Sequence, residues 1–171
     1  HAGVGVDFVP RKRIEELSGA GFSSSQGVVA EAKPFRYASL ADVIAAANVA
    51  SGLGGGAAGS SQGALVVLCD HITDAGNLGA IARSAESVGA SGIIIPNKRS
   101  AQVTPATYKT SAGAVAHLPI AQVPNLKRAL DELKDAGFWV VGATEHAHDA
   151  LWDTDMAGRI VLVVGNEHEG I

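Results

Sequence analysis

From residue 64 onward, short apolar runs alternate with longer stretches in which apolar and polar positions are mixed. Five apolar runs predict strands: "ALVVLC", "GIIIP", "HLPIAQV", "FWVVGAT" and "RIVLVVGNE". The intervening stretches predict helices, with apolar residues recurring every three or four positions: "GNLGAIARSAESVGA", "TPATYKTSAGAV" and "NLKRALDELKDAG". Strands that alternate with helices and are apolar on both faces are typical of parallel sheets. The predicted fold class is therefore α/β, a mainly parallel sheet flanked by helices.

The first third of the chain is less regular. A short helical pattern follows the basic triplet Arg11, Lys12 and Arg13, and "SLADVIAAANVA" predicts a second helix with Ser39 as its N-cap. Residues 51–63, "SGLGGGAAGSSQG", lack the Gly-Lys-Ser/Thr ending of a phosphate-binding P-loop, and we interpret them as a linker or loop. The pattern thus divides the chain into residues 1–36, 37–63 and 64–171.

Composition narrows the class of protein. The chain is 47% hydrophobic and 18% charged, which favours a packed core over disorder. A net charge of −4 excludes a strongly basic nucleic-acid binder but leaves room for a local basic patch. No apolar run is long enough to cross a bilayer. The single cysteine, Cys69, ends an apolar strand and predicts a buried thiol in a cytoplasmic protein.

Polar side chains concentrate in the loops that follow the predicted strands, at residues 70–77, 96–104, 142–148 and 165–171. In parallel sheets ligands bind at this edge. The first loop opens the stretch "DHITDAGNLGAIARSAESVGASGIIIP", which contains an unusual set of residues within ten positions: Asp74, Gly76, Asn77, Gly79 and Arg83. Packing alone does not require this set, so the sequence predicts that something is bound or held there.

Three common kinds of site fit poorly. A dinucleotide-binding domain requires GxGxxG after the first strand and an acidic residue after the second, where Pro96-Asn97-Lys98 stands instead. A serine hydrolase requires GxSxG, which is absent. His146 and His148 alternate as in a strand, with no obvious third ligand, so we expect no metal.

Two segments resemble signatures of a known family. "DAGNLGAIARSA" resembles the first signature of the SpoU family of RNA ribose 2′-O-methyltransferases, and "LVVGNEHEGI" resembles the second. "PNKRSAQVTPATYKTSAGAVAHLPI" is similar to the subfamily that acts on a guanosine of large-subunit ribosomal RNA. Ala75 replaces the usual proline, Ser25 stands where histidine is common, and the third signature does not occur before Ile171.

The resemblance implies a SPOUT-type α/β trefoil knot, incomplete in this chain, that binds S-adenosyl-L-methionine and forms a cytoplasmic homodimer acting on RNA. Residues 1–36 would be the C-terminal remnant of a small RNA-binding domain. Residues 37–63 would lead into a methyltransferase domain at 64–171 that stops before its third motif. The natural protein would continue by several tens of residues, and without them apolar surface is expected near Val161–Val164.

The resemblance also implies roles for individual residues. The catalytic set would be Asn77, Arg83 and Glu167. The RNA-binding set would be Arg83, Lys98 and Arg99, although a solvated loop is an equal alternative for the last two. The cofactor-binding set would be Gly142, Ala143, Thr144, Gly165, Asn166, Glu167 and Gly170.

The chemistry of these side chains refines the roles. Because a guanidinium is almost always protonated, we interpret Arg83 as a phosphate clamp that also stabilises the developing alkoxide. Gly79 suits either close approach of an RNA phosphate or tight helix packing. The favoured activity is methylation of a ribose 2′-hydroxyl in ribosomal RNA. The alternatives are the same reaction on transfer RNA, or a non-catalytic RNA-binding or assembly module.

Overall fold

The computed structural model describes residues 4–18, 25–52 and 63–171, so most of the predicted linker at 51–63 lies outside the described residues. The chain divides into two compact units, residues 1–34 and 35–171. The first unit contains helix α1, Arg11–Ser18, on which Arg11 pairs with Glu15 at 3.0 Å and Arg13 with Glu16 at 3.4 Å. Such exposed pairs contribute little to stability.

The second unit is built on five parallel strands. They are β1 (Ala64–Asp70), β2 (Gly92–Pro96), β3 (Ile120–Val123), β4 (Trp139–Ala143) and β5 (Arg159–Gly165). Their order in the sheet is β3-β2-β1-β5-β4, and every pairing is parallel. The predicted α/β class is confirmed. Because the strand order reverses between β1 and β5, the loops after these two strands lie at a topological switch point.

Four helices cover the sheet: α2 (Leu40–Ala50), α3 (Ala75–Ser87), α4 (Pro105–Thr110) and α5 (Leu126–Asp135). Short 3₁₀ turns lie at Ala114–Ala116 and Leu151–Asp153. Helices α2 and α5 share a buried apolar cluster with Val66 and Leu68 of β1, whereas α3 packs on the opposite face against Val67 and Cys69. No described helix has the length and apolarity needed to cross a membrane.

Local signals explain most helix boundaries. Ser39 caps α2 in a reciprocal capping box with Asp42, as the sequence predicts. Pro105 occupies the first turn of α4, and Gly137 closes α5 with a φ of +84°. The stretch predicted as one helix after residue 104 is shorter than expected. Ala112 and Gly113 both have positive φ, which ends α4 at Thr110 and leaves only a 3₁₀ turn beyond.

Two predictions about burial have different outcomes. Cys69 is fully buried, and burial raises the pKa of its thiol to about 12, so it is an inert core side chain. The expected apolar surface near Val161–Val164 is present only in part. Val161 and Val163 are buried in the cluster beneath α2 and α5, whereas Leu162 and Val164 point to the other face and are half-buried.

Helices α3 and α4 meet at Gly79. A Cβ atom at this position would lie 2.9 Å from the carbonyl oxygen of Thr107 and 3.0 Å from the backbone nitrogen of Ser111, and closer still to Oγ1 of Thr110. Two of these atoms belong to backbone and cannot move independently. Of the two interpretations of Gly79, the structure supports tight helix packing.

We predict that Gly79→Ala destabilises the protein. Alanine favours a helix interior over glycine by about 1 kcal/mol, but relieving the overlap is expected to cost about 1–3 kcal/mol, so the net change is unfavourable. Chemical denaturation measures it as a lower free energy of unfolding. Adding Thr110→Ala to the Gly79→Ala variant removes the overlap with the Thr110 hydroxyl but not the overlaps with backbone. The double variant should therefore recover part of the lost free energy of unfolding. A variant as stable as the wild type would contradict the close contact.

Candidate active site at the β1–β5 switch point

The residues concentrated after β1 differ in the contacts that they make. Asp74 is the N-cap of α3, and its Oδ1 accepts a hydrogen bond of 2.8 Å from the backbone nitrogen of Asn77. A Cβ on Gly76 would lie 2.8 Å from the same oxygen, so glycine leaves room for the cap. The packing of α4 against α3 explains Gly79. Local structure does not explain the two remaining members of the set, the exposed side chains of Asn77 and Arg83.

The side chain of Asn77 joins the two loops of the switch point. Its Nδ2 donates a hydrogen bond to Oε1 of Glu167, ninety residues later in the chain. A carboxylate accepts and does not donate when ionised, which fixes the orientation of the amide. Oδ1 of Asn77 is therefore turned away from Glu167 and is an acceptor for another group. The two sequence signatures thus form one site.

The loop after β5 is held in a tight turn by Asn166. Oδ1 of Asn166 accepts hydrogen bonds from the backbone nitrogens of His168 and Glu169, both at 2.8 Å, and its backbone bonds in both directions to Gly170 at 3.1 Å. A Cβ on Gly165 would lie 2.6 Å from the backbone nitrogen of Ile171 and nearer still to Gly170. The loop can fold back on the strand only because residue 165 has no side chain.

This turn and the loop after β4 enclose a cavity of about 390 Å³, within the size range of small-molecule sites. Six of the seven residues expected to bind the cofactor line it: Ala143, Thr144, Gly165, Asn166, Glu167 and Gly170. The seventh, Gly142, lines an adjoining groove, and a Cβ there would lie 3.2 Å from Cδ1 of Ile171. The cavity is acidic, with carboxylates from Glu145, Glu167 and Glu169.

Arg83 does not join the pair formed by Asn77 and Glu167. It follows Asn77 by six positions, which places it about 9 Å further along α3 and about 120° around the helix axis. None of the hydrogen bonds or ion pairs found among the described residues involves its side chain. Of the three residues of the expected catalytic set, the structure therefore joins Asn77 and Glu167 by a hydrogen bond but not Arg83. Arg83 instead shares a helix face with Gly79, one turn earlier.

Lys98 and Arg99 lie in the loop after β2, and both are exposed. The loop itself is anchored. The backbone nitrogen of Ala101 donates to the carbonyl oxygen of Ile72 at 2.7 Å, and Asn97 donates to Val123 of β3 at 2.9 Å. The loop after β2 is thus tied to the loop after β1, near the start of α3.

A half-buried polar network that the sequence did not predict lies behind this loop. The hydroxyl of Tyr37 accepts from the backbone nitrogen of Val103 at 2.9 Å and donates to Oε1 of Gln102 at 3.2 Å. Gln122 of β3 also donates to Gln102. The partners are separated by up to 66 residues, and no local motif marks such a contact. The role of Asp74 as an N-cap, in contrast, has a local signal, because an aspartate immediately before a helical pattern is typical of an N-cap.

Among the described residues, no three histidine, cysteine, aspartate or glutamate side chains converge as metal ligands would. His146 is exposed, and its Nε2 lies 3.8 Å from Oε1 of Glu145.

Comparison with known proteins decides the family. The family described as SpoU rRNA Methylase matches residues 64–171, the whole of the sheet. The chain belongs to the SpoU methylase family. A putative TrmH family tRNA/rRNA methyltransferase from Bacillus subtilis, YacO, is 35% identical over 99% of this chain and 63% of its own length. An uncharacterized tRNA/rRNA methyltransferase from Synechocystis is 37% identical over 99% of this chain and 41% of its own length.

Solved SpoU structures show the same architecture. The methyltransferase AviRb from Streptomyces viridochromogenes, crystallised with AdoMet, superposes with a TM-score of 0.59 and 32% identity over 66% of this chain and 44% of its own. An AdoMet-bound rRNA methyltransferase from Sinorhizobium meliloti gives a TM-score of 0.62 and 28% identity over 80% of this chain and 46% of its own. The chain spans less than two thirds of each of these relatives.

We predict that Asn166→Ala loosens the turn after β5. Without the side-chain oxygen, the backbone nitrogens of His168 and Glu169 lose their acceptor and should exchange hydrogen about tenfold faster, the equivalent of roughly 1.4 kcal/mol for a lost hydrogen-bond set. Hydrogen exchange followed by NMR or mass spectrometry measures this. Asn166→Asp keeps the acceptor and serves as the control. Equal exchange in all three proteins would show that Asn166 does not hold the turn.

Proposed function

We propose that this SpoU-family protein transfers a methyl group from S-adenosyl-L-methionine to a ribose 2′-hydroxyl of RNA. The favoured substrate is a guanosine of large-subunit ribosomal RNA, and the protein would act as a cytoplasmic homodimer. The observation that carries the proposal is the hydrogen bond between Asn77 and Glu167, which unites the two family signatures beside a cavity. The subfamily resemblance of residues 96–120 supports the choice of substrate.

The cavity beside β4 and β5 fits the cofactor chemically. S-Adenosylmethionine carries a sulfonium cation, and the carboxylates of Glu145, Glu167 and Glu169 provide a favourable potential for it. The backbone of residues 143–145 and 165–170 would hold the adenosyl and methionyl groups. When bound there, the cofactor supplies an electrophilic methyl group.

Asn77 is suited to orient the ribose. Because its Nδ2 is engaged with Glu167, its Oδ1 can accept a hydrogen bond from the 2′-hydroxyl and hold that oxygen in line with the methyl group. Fixing two reactants in such a geometry lowers a barrier by up to about 7–11 kcal/mol. Glu167 acts through Asn77 and is a positioning residue.

Arg83 would act on the RNA side. A guanidinium group is in general a poor proton acceptor, so we assign Arg83 no role as the base that removes the hydroxyl proton. Its exposed position, slightly more than two turns into α3, suits a clamp on the phosphate next to the reacting ribose. Such a cation also stabilises negative charge developing on the 2′ oxygen, while water or a phosphate oxygen takes the proton.

A methyl-transfer assay tests the proposal. The full chain is incubated with radiolabelled S-adenosylmethionine and either ribosomal or transfer RNA, and the modified nucleoside is identified by mass spectrometry. Label on the ribose of a ribosomal guanosine is the expected result. Label on a base would overturn the assignment of ribose. Absence of label on both RNAs, with RNA binding retained, would identify a non-catalytic binding module.

We predict that Arg83→Ala removes most turnover, about 100-fold or more for a lost transition-state charge contact, while cofactor affinity stays within a few-fold. Single-turnover rates and calorimetric titration of S-adenosylmethionine measure the two quantities. Arg128→Ala is the matched control, because Arg128 is an exposed arginine on α5, which covers the opposite face of the sheet. A parallel loss of cofactor binding would show that Arg83 belongs to the cofactor site.

A further inference from the structure

Charged residues are unevenly distributed along a chain whose net charge is −4. Residues 87–130 contain five lysines or arginines and no aspartate or glutamate. Residues 131–171 contain nine aspartates or glutamates and only two lysines or arginines. The first segment forms β2, α4, β3 and the first half of α5, and the second forms the rest of α5 together with β4 and β5. Because β1 lies between them in the sheet, one half of the sheet is flanked by basic residues and the other by acidic residues.

The five basic residues of the first segment lie on different faces. Lys127 and Arg128 belong to α5, which packs with α2, and Arg128 is already paired with Glu132 at 3.1 Å. Lys109 belongs to α4, which packs with α3 on the opposite face, and Lys98 and Arg99 lie in the loop that leads to α4. All of these cations are exposed.

The packing of α3 on α4 places Lys109 on the helix that contacts α3 one turn before Arg83. The contact between the helices is formed by Gly79 and Thr110. Thr110 directly follows Lys109, and Gly79 lies one helical turn before Arg83 on the same face. Beside them Tyr108 is 40% exposed and packs edge-on against Phe35, with ring centroids 6.3 Å apart. An aromatic ring next to cations is a common arrangement for stacking unpaired bases.

The loop that carries Lys98 and Arg99 is anchored to the loop after β1 by hydrogen bonds. Ala101 and Ser100 both donate to the carbonyl oxygen of Ile72, at 2.7 and 3.2 Å. Arg99 has a φ of +53°, a conformation that a non-glycine residue adopts only when its surroundings impose it. Cations on a fixed loop lose less entropy on binding than cations on a mobile one.

We infer that Arg83, Lys98, Arg99 and Lys109 form one RNA-docking surface, with Lys109 as a phosphate contact and Tyr108 as a stacking platform. This inference rests on the proposed function and adds the direction from which RNA approaches the protein. RNA approaches over α3, α4 and the loop after β2, and the acidic half of the sheet around the cofactor cavity repels its backbone. The two ligands of the enzyme thus bind to regions of opposite charge.

Salt-dependent RNA binding tests the surface. The full chain, Lys109→Gln and Lys127→Gln are titrated with a fluorescent RNA hairpin of about 30 nucleotides, between about 50 and 200 mM salt. Lys127→Gln is the matched control, because it removes the same charge from the same acid-free segment on the other face. Loss of one phosphate contact should reduce the slope of log K against log salt by about 0.7–0.9 and weaken binding about five- to tenfold near 100 mM.

Lys109→Gln should show this change and Lys127→Gln should not. A combined Lys98→Gln, Arg99→Gln and Lys109→Gln variant should reduce the slope by roughly three times as much as Lys109→Gln alone does. Tyr108→Ala should weaken binding without a change in slope, because stacking releases no counterions. Thermal denaturation shows that each variant is folded.

The outcomes separate this inference from the proposed function. Equal slopes for Lys109→Gln, Lys127→Gln and the wild type, with methyl transfer intact, would overturn the docking surface and leave the activity standing. The expected slopes without methyl transfer would support the surface and overturn the activity. A wild-type chain that does not bind the hairpin or ribosomal RNA would overturn both.

Discussion

The parallel pairing of β1 with β5 is the contact on which the site depends. It runs through seven residue pairs, from Ala64 opposite Arg159 to Asp70 opposite Gly165, so both strands end at the same level. The loops that leave them must therefore meet, and Asn77 reaches Glu167 across the gap. The pairing is buried on one face by α2 and α5, through residues such as Val66 and Val161. A slip of one residue would turn the valine of the displaced strand to the face covered by α3 and separate the loops.

Small residues act in support of this arrangement. Gly76 admits the Asp74 cap, Gly79 admits α4, and Gly165 admits the returning turn at Gly170. In each case the absent side chain lets backbone or a capping group approach. The side chain of Asn77, on α3, then meets that of Glu167, in the turn after β5. This need for close backbone approach explains why a family signature contains so many glycines and so few reactive groups.

Sequence reasoning was most successful where structure is local or periodic. The five strands, the Ser39 cap, Pro105 and the Gly137 terminus follow from hydrophobic pattern and turn chemistry. Six of the seven proposed cofactor residues surround one cavity, because strand ends in a parallel sheet share an edge. The features that the sequence did not predict depend on contacts between residues that are distant in the chain. The separation of Arg83 from Asn77, the early end of α4 and the network around Tyr37 are set by packing between elements remote in sequence.

The position of β5 also constrains the order of assembly. β4 pairs with β5 and with no other described strand, and β5 follows β4 in the chain. While the chain leaves the ribosome, β1, β2 and β3 can pair as soon as they emerge, but β4 has no neighbour until β5 inserts beside β1. The hydrogen bond between Asn77 and Glu167 consequently cannot form until the chain through β5 and the turn after it has been synthesised.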